Sequence, residues 1–278
     1  MRALPLHSGA RGLYDDAAVL ELGGETLVVT HDAMAEGTHF RSDADMADVA
    51  WKLVATNLSD LAAKGAEPVG VLLSYSLGDG DERFLAGLGE VLGEYRTPLL
   101  GGDTIASKGA RTFGLTAIGR ATHTPVPARS GAAIGDAIYV TGTLGRAMLG
   151  FEGDPQHRDA FNRPRPLLAE GLVLASHVTA MMDVSDGLLL DAYRLAEASG
   201  ITLRIDSAAV PVADAGRRDE CLRWGDDYQL LFTAPSDARL PIEAARIGTV
   251  AKKGVSALIV DQRPISTPEM LGYSHKSG

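Results

Sequence analysis

The chain has 278 residues, 45% of them hydrophobic and 22% charged, and a single cysteine, Cys221. One cysteine excludes an internal disulfide framework and a cysteine-built zinc cluster, and points to a reducing compartment. Thirty-six acidic against 26 basic residues leave a net charge of −10, so nucleic-acid phosphate would be repelled unless cations intervene.

No apolar run reaches the length of a membrane span, and the opening MRALPLHSGARG lacks the apolar region and cleavage site of a signal peptide. The expectation is a cytoplasmic protein with neither nucleic acid nor a membrane as partner. In chain order, the β-branched run at 26–30 predicts a buried strand that ends at His31 and Asp32. Over 45–64, Met46, Val49, Ala50, Leu53, Val54, Leu58 and Leu61 recur at helical spacing, with Gly65 as terminator. A strand is predicted at 69–77, a helix at 81–95, a short strand at 98–100 running into Gly101-Gly102-Asp103, and a strand at 112–119. The segment 121–135, rich in Pro, Gly, Ser and Thr, marks a boundary between domains at 1–122 and 131–278. Beyond it the pattern predicts a strand at 137–140, a helix starting at 145–150 and an irregular polar stretch at 153–166. Helices follow at 167–177 and 188–198, the second closed by Gly200, with strands at 180–183, 201–205, 228–233 and 257–260. Both halves mix strands and helices, so α+β or α/β layers are expected.

Walker A, a strand-borne G-x-G-x-x-G and H-E-x-x-H are all absent from the sequence. Instead, aspartates sit at the ends of apolar segments: Asp15, Asp16, Asp32, Asp103, Asp183, Asp186, Asp226 and Asp227. Hard carboxylate oxygens suit Mg²⁺, which takes one or two of them plus substrate phosphates. Singly, each reads as a cap or turn residue, as His39 reads as a packed or surface histidine and Arg129 as a solvated loop charge. Asp60 is the exception, because aspartate is a poor mid-helix residue and this one lies near the apolar stripe. Spacing leaves open whether these acids meet.

Eight motifs in order carry a resemblance: DDAAVL at 15–20, VVTHD at 28–32, EGTHF at 36–40, NLSDLAAKGAEP at 57–68, GGDT at 101–104, RSGAAIGDAIYVTGTLG at 129–145, DVSDGLLLD at 183–191 and GDDYQLLFT at 225–233. From 15 to about 273 the chain resembles the thiamine-monophosphate kinases of the aminoimidazole ribonucleotide synthetase superfamily. The resemblance implies an α+β fold of two domains. In it the N-terminal sheet pairs in a homodimer, the C-terminal domain is an α/β sandwich, and ATP and several Mg²⁺ ions occupy the cleft. It implies transfer of the γ-phosphate of ATP to thiamine monophosphate. By the same resemblance Asp16, Thr30, Asp32, Asp60, Asp103, Asp183 and Asp186 are metal ligands. Gly102, Asp103, Arg129 and Ser185 contact ATP, and His39, Asp226 and Tyr273 contact the substrate. The family usually carries Gly where Tyr14 stands, Thr at His31, and Glu at Asp226 and Gln229. The alternatives are another ATP-dependent enzyme of the superfamily and a nucleotide-binding regulatory relative without catalysis. The reactive N-terminal cysteine of the selenophosphate synthetases is missing, and the chain ends SHKSG rather than in a cysteine.

Overall fold

A computed structural model describes residues 3–106, 108–265 and 267–273. β1 (Ala18–Leu22) and β2 (Glu25–Ala35) form a hairpin across Gly23 and Gly24. α1 (Met46–Ala63) is capped by the carboxylate of Asp45, which accepts from the Ala47 amide. β3 (Ala66–Ser76), α2 (Asp81–Glu94), β4 (Leu99–Ile105) and β5 (Thr112–Ala121) complete a five-stranded sheet ordered β1-β2-β5-β3-β4. Only β3 and β4 are parallel, because α2 carries the chain back between them. α1 and α2 cover one face of this sheet. On β3 and β4, Leu72, Leu99 and Ile105 remain 40%, 48% and 52% exposed.

After the segment 121–135 come β6 (Ala137–Val140), α3 (Arg146–Phe151), α4 (Arg158–Asn162), α5 (Leu168–Leu174), β7 (Ala180–Asp183) and α6 (Leu188–Ser199). They are followed by β8 (Thr202–Ile205), α7 (Arg218–Arg223), β9 (Leu230–Ala234), β10 (Ala245–Ala251), β11 (Leu258–Val260) and β12 (Arg263–Ile265). The second sheet has seven strands, ordered β12-β11-β8-β10-β6-β9-β7, parallel only between β11 and β8. Alternation along its strands feeds two cores. Ile138, Val140, Met182 and Leu231 face α6, while Tyr139, Met181 and Phe232 face α5 and the end of α1. The fold is thus two mixed α/β units, each with its own sheet. No helix among the described residues is long and apolar enough to cross a membrane.

α1 joins the two units. It is buried at every position except Met46, Asp48 and Trp51. Val49, Leu53, Leu58 and Leu61 pack under the first sheet; Ala62 and Ala63 pack against Tyr139 and Phe232 of the second. A helix covered on all sides needs partners on all sides, and this one takes them from both halves.

Several elements differ from the sequence reading. β4 runs on through Gly101-Gly102-Asp103 instead of stopping before them. A side chain at Gly102 is impossible there, because its Cβ would stand 1.9 Å from the Leu73 carbonyl oxygen of β3. The strand predicted at 228–233 begins at Leu230, since Asp226 and Tyr228 adopt left-handed backbone angles that end extended pairing. The stretch 153–166 contains the single turn α4, too short to show a period. The central strand β10 went unpredicted: Gly248 and a register shift at Arg246/Gly248 break its alternation.

Candidate active site

The polar residues of α1 turn toward a cavity of about 590 Å³ between the two units. Lys52, Thr56 and Asp60 stand four residues apart on one helix face and line it in a row. Asn57 takes the Asp32 amide on its side-chain oxygen at 3.0 Å and so ties β2 to the helix. The Thr30 hydroxyl, next along β2, donates to Asp60 Oδ2. From the second sheet, Asp183 ends β7 and accepts from the Ser59 hydroxyl at 2.6 Å. Asp16, Asp60 and Asp183 each bring a carboxylate oxygen to within 4.8 Å of the others.

Burial and neighbouring carboxylates both disfavour charge on Asp60 and Asp183. Burial raises Asp60 well above the ordinary carboxylate range, and Asp32, Asp183 and Asp16 push the same way. Burial, then Asp16, lifts Asp183 to about 8. Asp32 is raised by burial, with Asp16 and Asp186 adding to it. Against these acids stand two cations, Lys64 fully buried and Arg129 largely so. Arg129 donates from Nε to Asp16 Oδ1 at 2.7 Å, and its Nη2 pairs with the same oxygen. Lys64 places its ammonium 2.6 Å from both Asp15 Oδ1 and Asp16 Oδ2. Among the described residues Asp16 Oδ2 accepts no hydrogen bond in proper geometry, although the Asp16 side chain is fully buried. A buried carboxylate held by Lys64 and Arg129 and grouped with two further carboxylates is a set of hard oxygens that a divalent cation would complete.

Asp16, Asp32, Asp60, Asp183, Asp186, Ser185, Arg129, His39, Asp226 and Tyr273 all line this one cavity. The turn that carries Ser185 and Asp186 is held from behind. The fully buried Asp191 accepts both their amides, at 3.1 and 3.0 Å. Both oxygens of Asp226 are engaged, one by Lys52 Nζ at 2.8 Å and the other by the Tyr228 hydroxyl at 2.8 Å. His39 Nδ1 accepts from the Ala35 amide at 3.0 Å.

Gly102 and Asp103 are not brought to the cavity of their own chain. Asp103 pairs with Ser74, Ser74 with Gly114, and Gly114 with Ala33, so Asp103 shares a sheet face with Ala33. Asp32, the neighbour of Ala33, points to the opposite face. Two strands and a change of face therefore separate Asp103 from Asp32, and Asp103 is exposed. The expectation that Asp103 joins the other acids is corrected to that extent: register, which single-strand spacing does not reveal, keeps it away.

Sequence reasoning missed Lys52, Ser59, Lys64 and the aromatic wall. Phe151 lies 5.2 Å from Phe161 and 5.1 Å from Trp224, ring centre to ring centre. Phe151 and Trp224 are 43% and 36% exposed, which puts them at the cavity mouth. Lys52 Nζ stands 3.6 Å over the Phe161 ring.

Comparison with known proteins bears on the family and the fold. Residues 14–121 match the AIR synthase related protein N-terminal domain, and residues 133–261 its C-terminal domain. Thiamine-monophosphate kinase of Escherichia coli (strain K12) is 37% identical over 262 residues, covering 84% of this chain and 79% of that protein. The thiamine-monophosphate kinase of Caulobacter vibrioides is 34% identical over 302 residues, covering 96% of this chain and 85% of that protein. A solved structure described as AaThiL complexed with AMPPCP and TMP matches with a TM-score of 0.84 at 27% identity, over 95% of this chain and 97% of that one.

Proposed function

The chain belongs to the thiamine-monophosphate kinases, within the AIR synthase related proteins, and from that premise we propose that its cavity moves the γ-phosphate of ATP onto thiamine monophosphate. An oxygen of the monophosphate bonds to the γ-phosphorus as the bond to the departing ADP oxygen breaks. The observation that carries this reading is the convergence of Asp16, Asp60 and Asp183 beside Arg129 in a cleft with an aromatic mouth. The attacking phosphate oxygen is already ionised near neutral pH, so no general base has to remove a proton. The obstacle is mutual repulsion of two polyanions in an acidic cleft. Several Mg²⁺ ions, held by Asp16, Thr30, Asp32, Asp60, Asp183 and Asp186, would neutralise that charge and align donor with acceptor.

The chain's own groups divide the rest. Arg129 and Ser185 face the ATP phosphates, with Arg129 also fixing Asp16. Lys52 and His39 stand where the monophosphate would lie. Phe151, Phe161 and Trp224 offer ring faces to the cationic heterocycle of thiamine, while Asp226 and Tyr273 supply polar partners at the same end. ATP is a co-substrate, and a cytoplasmic location is part of the proposal. The test is direct. With Mg²⁺ and ATP the purified protein should release ADP when thiamine monophosphate is added and not when thiamine replaces it. Equal release with thiamine would sink the assignment, and ATP binding without any turnover would favour the regulatory reading.

The division into domains 1–122 and 131–278 and a homodimer across the first sheet are also proposed. The uncovered face with Leu72 and Ile105 supports the dimer, and so does Asp103, whose family role needs a cavity that its own chain does not bring to it. Mixing Asp60→Asn with Asp103→Asn, each nearly inactive alone, is expected to restore about a quarter of the sites, because random pairing makes half the dimers mixed and each mixed dimer then holds one intact site. No recovery after verified subunit exchange would confine Asp103 to its own chain.

A further inference from the structure

Lys64 is among the largest fully buried side chains of the described residues. Lysine is almost never buried completely unless its charge is paired. Here the pairing is unusual in where it points. The ammonium donates to Asp15 Oδ1 at 2.6 Å and to the Met181 carbonyl at 3.1 Å. It also touches Asp16 Oδ2 at 2.6 Å, and Asp16 is the acid grouped with Asp60 and Asp183. Lys64 follows Asp60 by four residues, and its amide bonds the Asp60 carbonyl at 3.2 Å. One helix end therefore fixes both a cluster acid and the cation behind the cluster. Asp15 is itself buried, with Lys64 on Oδ1 at 2.6 Å and Arg11 on Oδ2 at 2.5 Å, so Asp15 serves as the ammonium's own counter-ion.

We propose that Lys64 is a resident cation of the acidic cluster, a positioning residue that keeps Asp16 turned toward Asp60 and Asp183 and reduces the charge that incoming ions have to neutralise. The inference rests on the metal reading above. It has two consequences. The cluster is formed before any ion arrives, because Asp16 is held from behind. An arriving ion meets a positive charge already in contact with one of the cluster's carboxylates, so affinity is weaker than the carboxylates alone would give, and the ions exchange.

Charge and packing predict different outcomes when Mn²⁺ is the probe and free Mn²⁺ is counted by its paramagnetic resonance signal. Lys64→Met keeps the length of the side chain and removes the charge; it is expected to bind Mn²⁺ tighter by about tenfold or more. Asp15→Asn removes the ammonium's counter-ion and leaves its charge directed at Asp16; it is expected to bind Mn²⁺ about tenfold more weakly. Opposite signs are the signature of a resident cation. A lysine that only packs would weaken binding in both variants through loosening, and that result would overturn the inference, as would no change in either. If Lys64→Met does not fold, Lys64→Gln, which also removes the charge, takes its place, with unchanged or weaker binding counting against the inference. Wild-type protein that takes up no Mn²⁺ would instead remove the metal reading underneath.

Discussion

Asp60→Asn is expected to cut turnover by on the order of 10³-fold and, in the same protein, to raise the melting temperature measured in EDTA. The two effects have one origin. Asp60 is buried next to Asp32, Asp183 and Asp16, which disfavour its charge. Without metal the carboxylate is therefore a cost to the fold. Asparagine keeps the shape and can still accept from Thr30, yet carries no charge to repel. The gain should appear as roughly 2–4 °C for each kcal/mol of repulsion relieved. The loss of turnover follows because a neutral amide is a poor ligand for a hard cation. A circular dichroism melt in EDTA and an ADP-release assay on one preparation check both halves. Retained activity with a lowered melting temperature would mean that Asp60 serves only the fold.

Metal-free protein should lose stability as pH rises from 6 to 9, and Mg²⁺ with a non-hydrolysable ATP analogue should cancel most of the loss. The sign follows from the raised carboxylates. Asp183 titrates at about 8 in the folded chain against 3.8 in the unfolded one, and Asp60 and Asp32 are displaced the same way. Between those limits the folded state holds more protons than the unfolded state, so stability is full below the unfolded value and falls as pH climbs through the folded one. Each such group contributes a slope of up to about 1.4 kcal/mol per pH unit. Asp191 and Asp227, each raised to about 7 by burial, add a similar slope. They stand outside the proposed ligand set, so their part should persist when Mg²⁺ is present. Ligation needs the charged carboxylates, so the melting-temperature gain from Mg²⁺ and analogue together should be larger at pH 9 than at pH 6. A gain that is the same at both pH values would show that the cluster does not bind the ions.

The long periodic elements of the chain are legible from residue order alone, because periodicity is local. α1, α2 and α6 show their apolar spacing, and Gly200 ends α6 in the left-handed conformation expected of it. Most of the cavity's acids are legible as well, since they flank recognisable strands or helices and Asp60 stands out inside its helix. What spacing hides is pairing. Asp103 looks equivalent to Asp32, and only strand register shows that the two face opposite ways. Phe151, Phe161 and Trp224 come from three short helices and their ends, in segments with no period, and only the fold brings them into contact. For the polar line on α1 a signal was present. Lys52, Thr56, Asp60 and Lys64 recur every fourth residue along a helix that is mostly apolar, a pattern that a solvent-facing stripe would share and that burial of nearly the whole helix turns into the wall of a site.

The double burial of α1 also governs how ligands come and go. A helix whose sides are shared by two cores cannot act as a hinge, because swinging either half away would strip Val49 and Leu53 or Ala62 and Ala63 of their neighbours. Opening by parting the lobes would thus cost a large fraction of the stability of a domain. Entry and release fall instead to the aromatic rim, where Phe151 and Trp224 are half-exposed at the ends of short helices. Rotation of those rings takes place without disturbing either core. The overall dimensions of the protein should then stay the same with and without nucleotide, while the fluorescence of Trp224 changes as the pocket fills.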